Sequence, residues 1–225
     1  MLIKGDMLEV IDNPKKYPMF DLLVQQYKGI ALLFTDAPYN KKITSKGERL
    51  PTDRFDPTQM ETFFHRLYPH IKSNGHVMVR VLHQDFPVWA AKAKSNGFKV
   101  DVPHFVMKDN SVCCKGLVMR NGKMRPNYAC YLHLTKSSRP KINKKCFDWT
   151  GQSKNPTTGF AGVMFTHLKN KCTRQHNGKT VAFRDEVTVQ EAAQYIEWYT
   201  VAGDLVVDPM AGTMSTGTCN SVHTI

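Results

Sequence analysis

Apolar and polar positions divide the first half of the chain into alternating strands and helices. Residues 30–35 form an uncharged run, typical of a strand buried on both faces of a parallel sheet. Helical spacing follows at 58–71, and at 76–82 valines alternate with other residues, as in a strand. Helical spacing returns at 86–95, and a third extended segment lies at 98–107. Because strands and helices alternate, the pattern predicts right-handed parallel crossovers and an α/β sheet.

Shorter elements precede the first long strand. Residues 2–4 are a strand candidate, and residues 7–11 resemble a helical turn with Asp6 at its N-cap position. Residues 20–27 have a loose helical period that Gly29 ends. The chain is therefore expected to enter the strand at 30–35 from a short helix.

The second half of the chain begins with a hairpin signal. Residues 112–119 and 128–135 flank Asn121-Gly122, a dipeptide typical of tight β-hairpin turns. Residues 188–200 share one apolar helical face, and residues 205–207 form a short apolar strand before a glycine-containing loop. We therefore expect a mostly parallel sheet with an antiparallel hairpin at its edge, an arrangement common in α/β proteins.

The composition is that of a globular protein. Of the 225 residues, 41% are hydrophobic and 22% are charged, and no apolar run approaches the roughly 20 residues that a membrane span needs. The N-terminus lacks the apolar region of a signal peptide. We predict a soluble, intracellular protein, located in the cytoplasm or, in a eukaryote, in the nucleus, with no membrane partner.

The six cysteines give little sign of a disulfide framework or a metal site. None is part of a Cys-x-x-Cys pair, so reduced thiols are expected. A zinc site from Cys146, His167, Cys172 and His176 would lack the tight paired spacing of known sites. We therefore predict no metal.

The positive charge of the chain is concentrated in one segment. The net charge is +12, and residues 136–184 contain eleven Lys or Arg and one acid, which accounts for +10 of it. Phe147, Trp149, Phe160 and Phe165 are interleaved there, an arrangement that suits the phosphates and bases of a nucleic acid. The alternative is a solvated insertion whose aromatics form a small core of their own. Our candidate contacts to nucleic acid are Lys141, Lys144, Lys145, Lys154, Lys169, Lys171 and Arg174.

Candidate chemistry follows two of the predicted strands. Asp36-Ala37-Pro38-Tyr39 comes directly after residues 30–35, and in open α/β sheets ligands bind outside the carboxyl ends of strands. Asp and Pro are also common turn residues, so this stretch alone fits a plain turn equally well. The segment 208–217 places a glycine-containing loop between a strand and a possible helix start, as a nucleotide or cofactor cradle does. A polar loop at 41–57 is expected to order over substrate.

These two motifs, in this order, resemble those of the β class of DNA amino-methyltransferases. That family transfers a methyl group from S-adenosylmethionine to an exocyclic base nitrogen. Its Asp-Pro-Pro-Tyr motif is similar to Asp36-Ala37-Pro38-Tyr39, and its Asp-Pro-Phe-x-Gly-x-Gly loop is similar to residues 208–214. The family often opens with Gly-Asp, as Gly5-Asp6 does here, and places its target-recognition region where this chain has its basic segment. The resemblance covers nearly the whole chain.

The resemblance implies a fold and a division of the chain. The fold would be a Rossmann-like S-adenosylmethionine methyltransferase sheet with a circularly permuted motif order and a basic insert. Residues 1–135 would form the catalytic half and residues 136–184 the insert resembling a target-recognition region. Residues 185–225 would form the cofactor-binding part, apparently shortened at its C-terminus.

The resemblance also implies residue roles. Asp36 and the backbone carbonyl of Ala37 would accept the two hydrogens of the target amine, Pro38 would fix the loop, and Tyr39 would stack on a base rotated out of the duplex. An Asp at the first position is more typical of adenine N6 enzymes than of cytosine N4 enzymes. The implied cofactor-binding residues are Asp6, Asp208, Pro209, Ala211, Gly212 and Thr213, with Thr35 and Asn40 as further candidates.

Three features depart from the family pattern. Met214 stands where the family has its second Gly, the helix before the loop lacks the usual Lys-Pro, and no acidic residue follows Asp208 before the chain ends at Ile225. Either the chain is a fragment or its cofactor site is incomplete. The first hypothesis is a site-specific DNA adenine N6 methyltransferase. The alternatives are an inactive nucleic-acid-binding protein or partner subunit with a decayed methyltransferase fold, and an RNA methyltransferase.

Overall fold

The chain folds around one mixed β-sheet with helices on both faces. The computed structural model describes residues 3–37, 57–108, 128–137, 140, 142–143, 163–166, 172–176, 179–183, 187 and 189–210. Within these residues the helices are α1 (Met7–Asp12), α2 (Pro18–Gln26), α3 (Pro57–Leu67), α4 (Phe86–Ser95) and α5 (Val189–Tyr199). The strands are β1 (Ile30–Asp36), β2 (Ile71–Val81), β3 (Lys99–Val100), β4 (His104–Lys108), β5 (Tyr128–Thr135), β6 (Val163–Thr166), β7 (Cys172–His176), β8 (Lys179–Phe183) and β9 (Val206–Val207).

Strand order in the large sheet is β6-β4-β5-β2-β1-β9, with β3 pairing with β5 beside β4. β1 is parallel to β2 and β9, and β4 is parallel to β6. β5 is antiparallel to β2, β3 and β4, so it alone among the described strands of this sheet runs in the opposite direction. The predicted fold class, a mostly parallel α/β sheet, is confirmed. β7 and β8 form a separate antiparallel pair.

The antiparallel strand lies inside the sheet and not at its edge, where the sequence pattern had placed a hairpin. β5 sits between β2 and β4, and seven of its eight residues are buried. A strand that is buried on both faces suits a central position, whereas an Asn-Gly turn fixes only the local pairing of its two arms. The other predicted arm, residues 112–119, lies outside the described residues.

Several element boundaries differ from the predicted ones. α3 ends at Leu67 and a 3₁₀ turn, Tyr68–His70, follows it, because Pro69 has no N–H with which to continue the helix. The predicted third strand is divided into β3 and β4 around Pro103, and the described part of the predicted strand at 2–4 is not a strand. The predicted helices 7–11, 20–27, 86–95 and 188–200 correspond to α1, α2, α4 and α5.

Ser73-Asn74-Gly75 is expected from its residue types to end the helix at 58–71, but these residues are part of β2. A Cβ on Gly75 would lie 2.7 Å from the carbonyl oxygen of Ile30 and 3.1 Å from that of Ala31. The pairing of β1 with β2 also shifts register between Ile30 and Leu32. Gly75 therefore allows β1 and β2 to approach each other closely, and it does not form a turn.

The two faces of the sheet carry different cores. Alternate strand residues such as Leu33, Val77 and Leu132 pack with α3 and α4 in an apolar core, to which α1 and α2 also contribute. The opposite residues, among them Phe34 and Met78, pack beneath α5. Several polar side chains of the strands are also buried, among them Arg80, His76, His104 and His133. None of the described helices is both long and apolar enough to cross a membrane.

Candidate functional site

The site is built where β1 and β9 end side by side. Leu33 of β1 is in register with Val207 of β9, and the two strands are parallel, so the residues that follow them emerge at one edge of the sheet. Asp36 is the last residue of β1, and Asp208 follows directly after β9. The first residues of the two predicted motifs therefore lie at the same edge.

Asp36 is held by an ion pair with the neighbouring strand. Arg80 Nη1 donates a hydrogen bond to Asp36 Oδ2 at 3.0 Å, and the two residues are register partners in the pairing of β1 with β2. The Arg80 side chain is 6% exposed, whereas that of Asp36 is 23% exposed. Ala37, the next residue of the motif, is buried. The carboxylate thus sits at the rim of the core with one oxygen fixed.

Sequence reasoning missed Arg80. The pattern at 76–82 predicted a strand, and β2 is buried on both faces from Gly75 to Val81. A charged residue within an apolar strand of that kind requires a partner, because an unpaired buried charge is strongly unfavourable. That requirement was the available signal for an acidic neighbour.

Asp208 joins the end of β1 to the loop after β9. Thr35 Oγ1 donates to Asp208 Oδ1 at 3.0 Å, and the backbone N–H of Met210 donates to the same oxygen at 3.1 Å. The second bond closes an Asx turn, in which the carboxylate fixes the direction of the chain two residues further on. Successive strand residues point to opposite faces, so Thr35 points to the α3 and α4 side, as Leu33 does, and Asp36 points to the α5 side, as Phe34 does.

Asp6 has a structural role in the described residues. Its carboxylate accepts hydrogen bonds from Leu8 N at 2.9 Å and Glu9 N at 3.2 Å, which caps α1 as the sequence pattern predicted. A carboxylate at this position also complements the positive end of the helix dipole. Its role toward a cofactor stays a prediction.

Most of the other predicted site residues lie outside the described residues. These are Pro38, Tyr39, Asn40, Ala211, Gly212, Thr213, Lys141, Lys144, Lys145, Lys154, Lys169 and Lys171. Pro209 is partly buried beside Asp208, and Arg174 lies in β7, opposite Val181 of β8. The roles predicted for all of them stay predictions.

A buried hydrogen bond lies beyond the ion pair on the α5 side. Tyr131 of β5 is wholly buried, and its hydroxyl donates to Glu191 Oε1 of α5 at 2.6 Å. Burial and the charge of Glu191 raise the pKa of the Tyr131 hydroxyl, and the charge of Arg80 opposes them in part. The hydroxyl therefore stays protonated and acts as a donor. Sequence reasoning assigned no role to Tyr131 or Glu191.

Three histidines are buried further along the same face. His76 Nδ1 and His133 Nε2 are hydrogen-bonded at 2.9 Å, and His104 Nε2 lies 3.4 Å from the hydroxyl of Tyr199. Burial lowers the pKa of His104 to about 4 and that of His133 well below its usual value. Both are therefore neutral at pH 7. No group of three metal-ligating side chains is found among the described residues.

The backbone is similar to those of several solved proteins. The PvuII DNA methyltransferase, which is cytosine-N4-specific, has a TM-score of 0.63, with 95% of this chain and 74% of that one covered at 15% identity. The fold is that of the DNA methyltransferases. A second structure with this methyltransferase fold is the complex of M1.HpyAVI with S-adenosylmethionine, with a TM-score of 0.61, 16% identity and coverage of 96% and 85%.

A third similar structure is TTHA0409 of Thermus thermophilus, a candidate DNA modification methylase complexed with S-adenosylmethionine. It has a TM-score of 0.53 and 14% identity, with 94% of this chain and 79% of that one covered. No protein-family model matches the sequence, and comparison with curated proteins gives no match. The methyltransferase fold is thus shared at sequence identities too low to carry over individual residue roles.

Proposed function

We propose that the chain is an S-adenosylmethionine-dependent DNA methyltransferase that acts on the exocyclic amine of a flipped base, with adenine N6 as its target. The observation that carries the proposal is the bond from Thr35 to Asp208. It joins the strand that ends in Asp36 to the first residue of the glycine-containing loop. The carboxylate that we propose as catalytic and the first residue of the loop that we propose for the cofactor therefore lie at one edge of the sheet.

The residues at this edge suit the cofactor. Asp36 and Asp208 stand at the ends of two neighbouring parallel strands, and S-adenosylmethionine carries a positively charged sulfonium that carboxylates attract. The Asx turn at Asp208 orients the backbone that leads into Ala211, Gly212 and Thr213, which we propose as the cofactor-binding loop together with Pro209. When bound, the cofactor supplies the methyl group and keeps the electrons of the broken S–C bond on sulfur.

Asp36 would act on the nucleophile. An exocyclic amine is weakly nucleophilic because its lone pair is conjugated with the ring. A hydrogen bond from the amine to the Asp36 carboxylate, and a second to the backbone carbonyl of Ala37, favour a pyramidal nitrogen whose lone pair can form the new N–C bond. The carboxylate also stabilises the positive charge that develops on nitrogen before a proton leaves. Pro38 and Tyr39 would hold and stack the flipped base.

Adenine N6 is the first candidate target, and cytosine N4 is the second. Asp36 at the first motif position favours adenine, by the resemblance of the motif. The similarity of the fold to a cytosine-N4-specific methyltransferase supports cytosine as the second candidate. Hydrolysis of the methylated DNA and chromatography of its bases separates the two.

We propose that residues 136–184 contact DNA, between a catalytic half at 1–135 and a cofactor-binding part at 185–225. The surplus of basic residues in that segment supports this assignment, since each phosphate contact adds affinity that salt weakens. Lys136 is an exception. Its Nζ donates to the carbonyl oxygens of Tyr68 and Ile71 at 2.9 and 3.0 Å, so it ties the end of β5 to the 3₁₀ turn and to the start of β2.

The test measures transfer of labelled methyl from S-adenosylmethionine to duplex DNA and, in parallel, to RNA. We expect transfer to DNA, and a loss of about 100-fold or more in Asp36→Asn, because the amide cannot stabilise the developing positive charge. DNA binding should be unchanged. Glu61→Gln, which removes an exposed carboxylate of α3, is the matched control and should keep full activity.

Three outcomes would contradict the proposal. Full activity of Asp36→Asn would remove Asp36 from the chemistry. DNA binding without any transfer by the wild-type chain would favour the non-catalytic binding protein. Transfer confined to RNA would favour the RNA methyltransferase.

A further inference from the structure

The ion pair at Asp36 is the end of a longer row of polar side chains. Arg80 is the register partner of Asp36 on one side and of Tyr131 on the other. Tyr131 in turn donates to Glu191 of α5 at 2.6 Å. The row therefore crosses β1, β2, β5 and α5 beneath one face of the sheet.

Burial makes this row sensitive to the loss of any member. Arg80 is 5% exposed, Glu191 is 3% exposed and Tyr131 is fully buried. Removing one partner of a buried charged pair leaves the other charge uncompensated, which costs far more than the loss of a surface ion pair. The position of the Arg80 guanidinium is thus set by groups on both sides of it.

Arg80 lies between Asp36 and Tyr131 in the register of three neighbouring strands. The charges of Glu191 and Arg80 act on the pKa of the Tyr131 hydroxyl in opposite directions, Glu191 raising it and Arg80 lowering it. A guanidinium is planar and has five N–H donors in a fixed arrangement. Its hold on one carboxylate can therefore fix the orientation of that carboxylate.

We propose that Arg80, supported by Tyr131 and Glu191, is a positioning residue that orients the Asp36 carboxylate toward the target amine, an inference that rests on the proposed function. The bond from Arg80 holds Oδ2 in place, and this restricts the directions in which Oδ1 can point. A carboxylate has about four acceptor sites, so one contact from Arg80 leaves it capacity to accept from an amine.

The kinetic test uses Tyr131→Phe. This substitution removes one hydroxyl group from a residue that is separated from Asp36 by Arg80. We expect kcat to fall about tenfold to 100-fold, with KM for DNA unchanged, because a small misplacement of a catalytic group has effects of that size. Arg80→Lys keeps the charge but loses the planar fork, and should lower kcat as well. Tyr128→Phe is the control, since Tyr128 is on the same strand but packs on the α3 and α4 side.

A second readout does not depend on activity. The ¹³C signal of the Asp36 carboxylate, identified by its loss in Asp36→Asn, should move in Tyr131→Phe and stay in place in Tyr128→Phe. Thermal unfolding of each variant checks that it is folded. Added guanidinium at low millimolar concentration should restore part of the activity of Arg80→Ala, which a purely structural loss would not allow.

The outcomes separate the two proposals. Unchanged kcat in Tyr131→Phe with an active wild-type chain overturns the positioning role and leaves the proposed function standing. No transfer by the wild-type chain overturns the proposed function, and the carboxylate signal then decides the positioning role. A signal that moves in Tyr131→Phe supports it, and a signal that does not move overturns it.

Discussion

The buried histidines beneath α5 predict that the fold loses stability in mild acid. His104 is packed against His133, Tyr195 and Tyr199, and burial lowers its pKa to about 4, while the charge of Asp101 opposes that shift and His76 adds to it. In the unfolded chain a histidine has a pKa of about 6.5. The unfolded state therefore takes up a proton first as the pH falls.

The magnitude follows from the two pKa values. A group whose folded pKa is lowered contributes its full stability above pH 6.5, and this is lost as the pH falls toward 4. With pKa values of 6.5 and about 4, protonation of His104 alone lowers the free energy of unfolding by about 2 kcal/mol at pH 5 and about 3 kcal/mol at pH 4. The lowered pKa of His133 acts in the same direction. Losses of this size are a large part of the roughly 5–15 kcal/mol that stabilise a domain.

Urea unfolding at pH 7, 6 and 5, at constant ionic strength and followed by tryptophan fluorescence, measures this loss. His104→Gln cannot take up the proton, so its free energy of unfolding should fall by about 2 kcal/mol less than that of the wild-type chain between pH 7 and 5. His65→Gln, on the exposed side of α3, is the control and should follow the wild-type chain. Equal losses in His104→Gln and the wild-type chain would refute the reasoning, because charge repulsion in the net positive chain is common to all three.

Two further substitutions test the packing around the site. Lys136→Met removes the hydrogen bonds to the carbonyl oxygens of Tyr68 and Ile71 and should lower the free energy of unfolding by about 1 kcal/mol, measured by thermal or urea unfolding. Lys94→Met, at an exposed position of α4, is the control and should change it little. Gly75→Ala places a methyl group 2.7 Å from a carbonyl oxygen of β1 and should lower the free energy of unfolding by about 1–3 kcal/mol. Ser73→Ala, at an exposed position of β2, is the control and should change it little. A loss no larger than that of its control would contradict either prediction.

The hydrophobic pattern predicted those strands and helices whose burial leaves a period in the sequence. The uncharged run at 30–35 gave β1, and the apolar helical face at 188–200 gave α5, since burial on both faces or along one stripe leaves a clear period in the sequence. The position of Asp36 at a strand end followed from the end of that run. The partner strands did not follow, because β1 pairs with β9 across nearly the whole chain.

The parts that sequence reasoning missed depend on contacts between distant segments. Arg80 of β2 binds Asp36 of the neighbouring β1, and Tyr131 of β5 binds Glu191 of α5, and the two pairs are 44 and 60 positions apart in the sequence. Gly75 looked like a turn residue because its close contact with β1 leaves no local signature. A single sequence records the polar residue but not the neighbour that makes its burial possible.

The bond between Thr35 and Asp208 joins residues 173 positions apart, and this separation has a consequence for synthesis. β1 emerges early from the ribosome, yet the strand that covers its outer side, β9, is among the last described segments to be made. Until then β1 presents an open parallel edge, which is a template for wrong pairing between chains. A ribosome that stalls before residue 206 would therefore release a chain with that edge uncovered, and the two motifs come together only after translation has passed Asp208.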